Sequence, residues 1–165
     1  MIATQRVADI MLKLDRGEFW GLDPNKPEWI NPRSYEDRPQ SINFNVVISA
    51  PHLHAHVLEL LSDVLKPGAK VLDVGSGTGI LCAGFYEMVK ESLPSKEIKV
   101  VGIEHIEGLA RSSLVNLSKS YKPQLEYGLL KIVCGDGRQG FAECAPYDAI
   151  HVGAGTLEVP PALIE

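Results

Sequence analysis

Residues 70–79 read KVLDVGSGTG, a short apolar run that ends in three glycines at alternate positions. A nearly unbroken run of this kind suits a strand covered on both faces, the setting of a parallel sheet. Gly75, Gly77 and Gly79 then permit a tight turn and a close backbone approach to a ligand. Beyond them Leu81, Phe85, Met88 and Val89 recur at helical spacing through ILCAGFYEMVKESL. The alternation repeats. EIKVVGIE (97–104) reads as a second strand, and residues 107–121 as a helix with Ala110, Leu114 and Leu117 on one face. LLKIVCG (129–135) reads as a third strand and YDAIHVG (147–153) as a fourth. Strands alternating with helices predict an α/β fold, a doubly wound, mainly parallel sheet with right-handed crossovers.

Residues 1–69 precede this core as a helix over 3–15 and a proline-rich stretch, GLDPNKPEWINPRSYEDRPQS, that is expected to wrap the surface. Together they are expected to close a site built by the core, residues 70–165. PHLHAHVLELLSDVL (51–65) predicts a further helix, with Leu53, Val57, Leu60, Leu61 and Val64 on one apolar arc. His54 falls inside the apolar side with Leu58 and Leu61, and His52 and His56 fall on the polar side. Three histidines at alternate positions converge on a metal only from a strand, so no metal site is expected.

A net charge of −5 argues against a phosphate-backbone partner. No apolar run approaches the ~20 residues that span a bilayer, and the N-terminus lacks the apolar core of a secretory signal. A monomeric, cytoplasmic protein with reduced thiols is the expectation. Cys82, Cys134 and Cys144 show no C-x-x-C spacing, and Cys134 is expected to be buried in the third strand.

The chemistry of the glycine loop narrows its ligand. A dinucleotide loop reads G-x-G-x-x-G, whereas here the third glycine comes one residue early. Asp73, just before the loop, repels a pyrophosphate and suits a cation such as the amino group of a methionine moiety. Glu104 ends the second strand, where an acid accepts hydrogen bonds from ribose hydroxyls. Asp136, in GDG after the third strand, falls at the same sheet edge, near an adenine. The D-x-G-x-G-x-G form resembles motif I of S-adenosyl-L-methionine-dependent methyltransferases, and that cofactor is expected in place of a nicotinamide.

The blocks PQSINFNVVISAPHLHAHVLELL, VLDVGSGTGIL, VVGIEHI, VCGDGRQG and APYDAIHVGAG resemble consecutive blocks of the protein-L-isoaspartate (D-aspartate) O-methyltransferase family, in its animal-type branch. RVADIMLKLDRGEFW resembles its N-terminal region. The resemblance implies methyl transfer to the α-carboxylate of L-isoaspartyl, and also D-aspartyl, residues in damaged proteins, followed by closure to a succinimide. It implies Ser49 as the active-site serine, a residue that otherwise reads as the cap of the helix opening at Ala50–Pro51. It places Val46, Val47, Ile48, Ser49 and His54 on the cofactor pocket, and Asp73, Val74, Gly75, Ser76, Gly77, Glu104, His105, Asp136 and Gly137 in contact with the cofactor. His151, inside the fourth strand, reads as packing. Two positions depart from the family's usual residues, Asn43 standing for glycine and Val47 for threonine, and TLEVPP replaces a run of small residues. The family continues with a helix and three further strands, so the sequence reads as a partial chain, and weak or absent turnover is expected of these 165 residues alone. A non-catalytic cofactor-binding adaptor, a small-molecule methyltransferase and a nicotinamide oxidoreductase are the alternatives.

Overall fold

A computed structural model describes residues 2–20, 31–92 and 97–164. Residues 21–30, half of the proline-rich stretch, lie outside the described residues. The chain opens with α1 (Gln5–Lys13), whose Thr4 side chain accepts from the Val7 amide and so caps the first turn. A two-residue pair follows, β1 (Gln40–Ser41) antiparallel to β2 (Val47–Ile48). Asn43, Phe44 and Asn45 form its turn with φ of 73°, 53° and 58°. Then come α2 (Pro51–Leu60), β3 (Val71–Val74), α3 (Ile80–Val89), β4 (Val100–Glu104), α4 (Glu107–Glu126), β5 (Leu130–Cys134) and β6 (Ala149–Val152). α4 breaks at Tyr121 (φ −126°), where Pro123 removes a backbone donor, and resumes to Glu126.

The main sheet is parallel throughout, in the order β5-β4-β3-β6. The chain steps outward from β3 through α3 to β4 and through α4 to β5, then returns to the far side of β3. That reversal opens a crevice beyond the carboxyl ends of β3 and β6, where such sheets bind ligands. Every residue of β3 and β4 is buried, as their apolar runs predict. On one face Phe85, Met88, Val100 and Leu117 join Val7 and Leu58 in the larger core, which ties α1 and α2 to α3. On the other, Leu72, Val74, Val101 and Ile103 pack under Phe141, Tyr147 and Leu163. Each such side chain, once fully buried, contributes roughly 1.5–3 kcal/mol. Gly102 lets β4 pass beneath the loop after β3, since a Cβ there would lie 2.6 Å from Cys82 Sγ and 2.9 Å from Ser76 Cβ.

Two expectations are corrected. Cys134 is exposed, because β5 is a sheet edge and only Leu130 of its residues is buried; the buried thiol is Cys82, on α3. The inward face of α2 is His54, Ala55 and Leu58, with Leu53 and Leu60 exposed, because α1 and α3 pack against the 54/58 side.

Candidate active site

The loop after β3 turns where the sequence placed its glycines. The amides of Gly75 and Ser76 donate to the Ile103 carbonyl at 2.8 and 3.0 Å, which binds the loop to β4. Gly75, Gly77 and Gly79 are left-handed, with φ of 77°, 57° and 87°. The Gly77 amide donates to Glu104 Oε2 and the Ile106 amide to Glu104 Oε1, both at 3.0 Å. Glu104 is 4 % exposed and clamps the glycine loop to the turn after β4.

Two cavities flank the loop and share Gly75. The outer one, about 470 Å³, lies beyond β3, β4 and β5, with Val74, Ile103 and Leu163 as apolar wall and His105, Asp136 and Gly137 at its rim. That volume lies in the range of small-molecule sites. The inner one, about 70 Å³, is bounded by Val47, Ile48, Ser49, His54, Asp73, Ser76, Gly77, Thr78 and His151. The structure thus brings together most of the residues singled out from sequence, divided between two chambers. Two of them border neither. Val46 packs against the larger core, its backbone paired with Asn43 and Ile42. Glu104, expected at the ribose, engages each oxygen with a loop amide. Asp136 is held by Arg138, whose Nε and Nη2 donate to its two oxygens at 2.7–3.1 Å, and that contact pushes its pKa down to about 2.

In the inner chamber Ser49 is half-buried and does not cap α2. Ala50 takes the N-cap position without a side-chain bond, and Asp37 Oδ1 accepts from the His52 amide at 3.0 Å instead. The serine hydroxyl is therefore not spent on the helix. His52 Nδ1 also meets Asp37 at 2.8 Å on the surface, while His54 turns inward, so the histidines point apart. Asp73, 1 % exposed, meets His151 Nδ1 at 2.7 Å and accepts from Cys82 Sγ at 3.2 Å. His54 Nδ1 lies 3.5 Å from Arg16 Nη1, and Arg16 Nε donates to the Ser34 carbonyl at 2.7 Å. Sequence reasoning passed over Arg16 and assigned His151 to packing. Nothing local marks either one, because each takes its role from a neighbour distant in the chain.

Burial, then the charges of Arg16 and His151, lower the His54 pKa from 6.5 to about 3. A base whose folded pKa is depressed favours the native state above its unfolded pKa, and that advantage shrinks as pH falls from 6.5 toward 3. His54 should therefore cost the fold up to about 1.4 kcal/mol per pH unit across that window. His54→Gln should flatten the decline in urea-denaturation stability between pH 6.5 and 3 relative to wild type. Equal slopes would show that His54 is protonated in the native state.

A doubly wound parallel sheet whose first core strand runs into a left-handed glycine cradle at the switch point, with acids at successive strand ends, defines a Rossmann-like methyltransferase fold. A search of protein-family models matches the model for protein-L-isoaspartate (D-aspartate) O-methyltransferase across residues 1–165. The chain belongs to that family. It is 48% identical to protein-L-isoaspartate O-methyltransferase 1 of Arabidopsis thaliana and 47% identical to the enzyme of Caenorhabditis elegans, each across the whole chain. It spans 66% and 67% of those two relatives' own lengths. A Plasmodium falciparum crystal structure, described as a protein-L-isoaspartate O-methyltransferase in complex with S-adenosyl-L-homocysteine, superposes with a TM-score of 0.83 at 35% identity. The match covers 99% of this chain and 72% of that one.

Proposed function

We propose that the protein transfers a methyl group from S-adenosyl-L-methionine to the α-carboxylate of L-isoaspartyl and D-aspartyl residues in damaged proteins, initiating repair through a succinimide. The observation that carries this reading is Ser49, in a chain of this family. Its hydroxyl is free of the helix cap and borders the chamber that holds Asp73 and the glycine loop. The residues fit the cofactor. Val74, Ile103 and Leu163 offer apolar surface for a base, with His105 at the rim. Left-handed Gly75 borders both chambers, and the Asp73 carboxylate is an acceptor for an ammonium group. When bound there, S-adenosyl-L-methionine supplies an electrophilic methyl on a sulfonium. A carboxylic acid of pKa near 4 is already ionised at pH 7, so no side chain need remove a proton. Ser49 then donates to the acceptor carboxylate and orients it, while His54, held neutral, adds no charge to the chamber.

Residues 1–69 are proposed to close the site and residues 70–165 to form the core, in a monomeric, cytoplasmic protein with no nucleic-acid or membrane partner. The net charge of −5 argues against a nucleic-acid partner, and no described helix is long and apolar enough to cross a membrane. The test pairs two peptides that differ only in one L-isoaspartyl or L-aspartyl linkage, with methyl-labelled cofactor. Base-labile label on the isoaspartyl peptide alone is expected. Label on neither peptide, from a chain that spans the full length of these relatives and binds S-adenosyl-L-homocysteine, would support the adaptor reading and overturn this one.

A further inference from the structure

Asp73 and His151 are register partners on adjacent strands, the one on β3 and the other on β6. Side chains at paired positions of a parallel sheet leave on the same face, so carboxylate and imidazole meet without help from a loop. They meet at 2.7 Å, with side-chain exposures of 1 % and 17 %, and both border the inner chamber. The imidazole has little freedom to turn away. Its ring lies tilted on Phe85 with centroids 5.8 Å apart, and a Cβ at Gly153 would come within 3.1 Å of its Cε1. Facing an acceptor-only carboxylate, Nδ1 carries a hydrogen and donates it to Asp73 Oδ1. Cys82 donates to the other carboxylate oxygen from beneath. Two donors, one on each oxygen, set the plane of a carboxylate that would otherwise be costly to bury.

We propose that His151 is a positioning residue: it fixes the Asp73 carboxylate so that its remaining lone pairs face the inner chamber and accept the primary ammonium of an amino-acid moiety. The inference rests on the functional reading above and deepens it. It assigns recognition of the amino-acid end of the cofactor to a β3–β6 pair and leaves the nucleoside end to the outer cavity. His54 and Arg16, the other basic groups beside this chamber, make no contact with Asp73 among the hydrogen bonds of the described residues, so the role falls to His151.

The test uses two ligands that share the nucleoside but differ in the amino acid, S-adenosyl-L-homocysteine and 5′-methylthioadenosine, titrated calorimetrically. His151→Leu should weaken S-adenosyl-L-homocysteine about ten- to hundredfold, the range for a lost charge-assisted contact, and leave 5′-methylthioadenosine within about twofold. His151→Asn, whose amide N–H can stand where Nδ1 stood, should restore most of the affinity. Should the leucine variant fail to fold, His151→Gln takes its place, since its amide reaches past the carboxylate. Equal weakening of both ligands would reduce His151 to a structural role, and an asparagine variant no better than leucine or glutamine would also overturn the proposal. A wild-type protein that binds neither ligand would instead sink the functional reading itself. That outcome is distinct from a wild type that binds both and a leucine variant that still prefers S-adenosyl-L-homocysteine as before, which overturns the inference alone.

Discussion

Gly75→Val should weaken cofactor binding about a hundredfold and leave the sheet folded. A Cβ at this position would lie 2.9 Å from Ala154 Cβ, closer than real Cβ atoms pack, and 3.1 Å from the Ala154 amide nitrogen. The φ of 77° adds a left-handed strain of about 1–2 kcal/mol for any L residue, and more for a β-branched one. The neighbour that must yield is the backbone leaving β6, which cannot swing aside as a long side chain can. Because Gly75 borders both cavities, relief of the clash distorts both together. Strain and overpacking of about 3 kcal/mol in total correspond to roughly a hundredfold loss in affinity for S-adenosyl-L-homocysteine. Each 1 kcal/mol that reaches the fold lowers the melting temperature by only about 2–4 °C in a chain of this size. A titration giving affinity within about threefold of wild type would show that the loop is not the cofactor cradle.

The parts of this site that were legible in the sequence are those specified by short-range pattern. Val71–Val74 and Val100–Glu104 are buried on both faces, and their apolar runs announce it; the three glycines fall at positive φ, and their spacing announces that too. What escaped depends on which strand neighbours which. The LLKIVCG run reads like any buried strand, yet the order β5-β4-β3-β6 puts it at an edge and exposes Cys134. The Asp73–His151 contact is a matter of register between strands 78 residues apart. On α2, apolar residues occur on nearly every side, so periodicity could not choose between the arc through Leu53 and Leu60 and the true one through His54 and Leu58. The departure at Asn43 now has a physical account. Its φ of 73° is one that glycine adopts freely and asparagine tolerates, so the turn survives the exchange. Val47 is 58 % exposed at the edge of the inner chamber, and there the exchange for threonine removes a hydroxyl without emptying a core position.

Under the proposed function, Ser49→Ala should lower kcat about ten- to hundredfold while the KM for the cofactor stays within about twofold, and the charge balance of the reaction explains why the loss is no larger. A hydrogen bond accelerates a step only when it strengthens on the way to the transition state. Here the acceptor is a carboxylate that gives up its negative charge as the oxygen takes the methyl, so a hydroxyl donating to it weakens along the path. Ser49 therefore cannot act as an oxyanion donor does, where removal costs about 10²–10³ in kcat. Its contribution is alignment, which holds one oxygen so that the other faces the electrophile. Ser49→Thr, which keeps the hydroxyl, should recover most of the rate. Neither variant should move the pH dependence of kcat, because the nucleophile needs no base. The measurement is the steady-state rate on an isoaspartyl peptide across pH 6–9, with cofactor varied. A shifted pH profile in Ser49→Ala would mean that the serine belongs to a proton-transfer path. An unchanged kcat would mean that the acceptor carboxylate is aligned by backbone groups of Ile48–Ala50 alone.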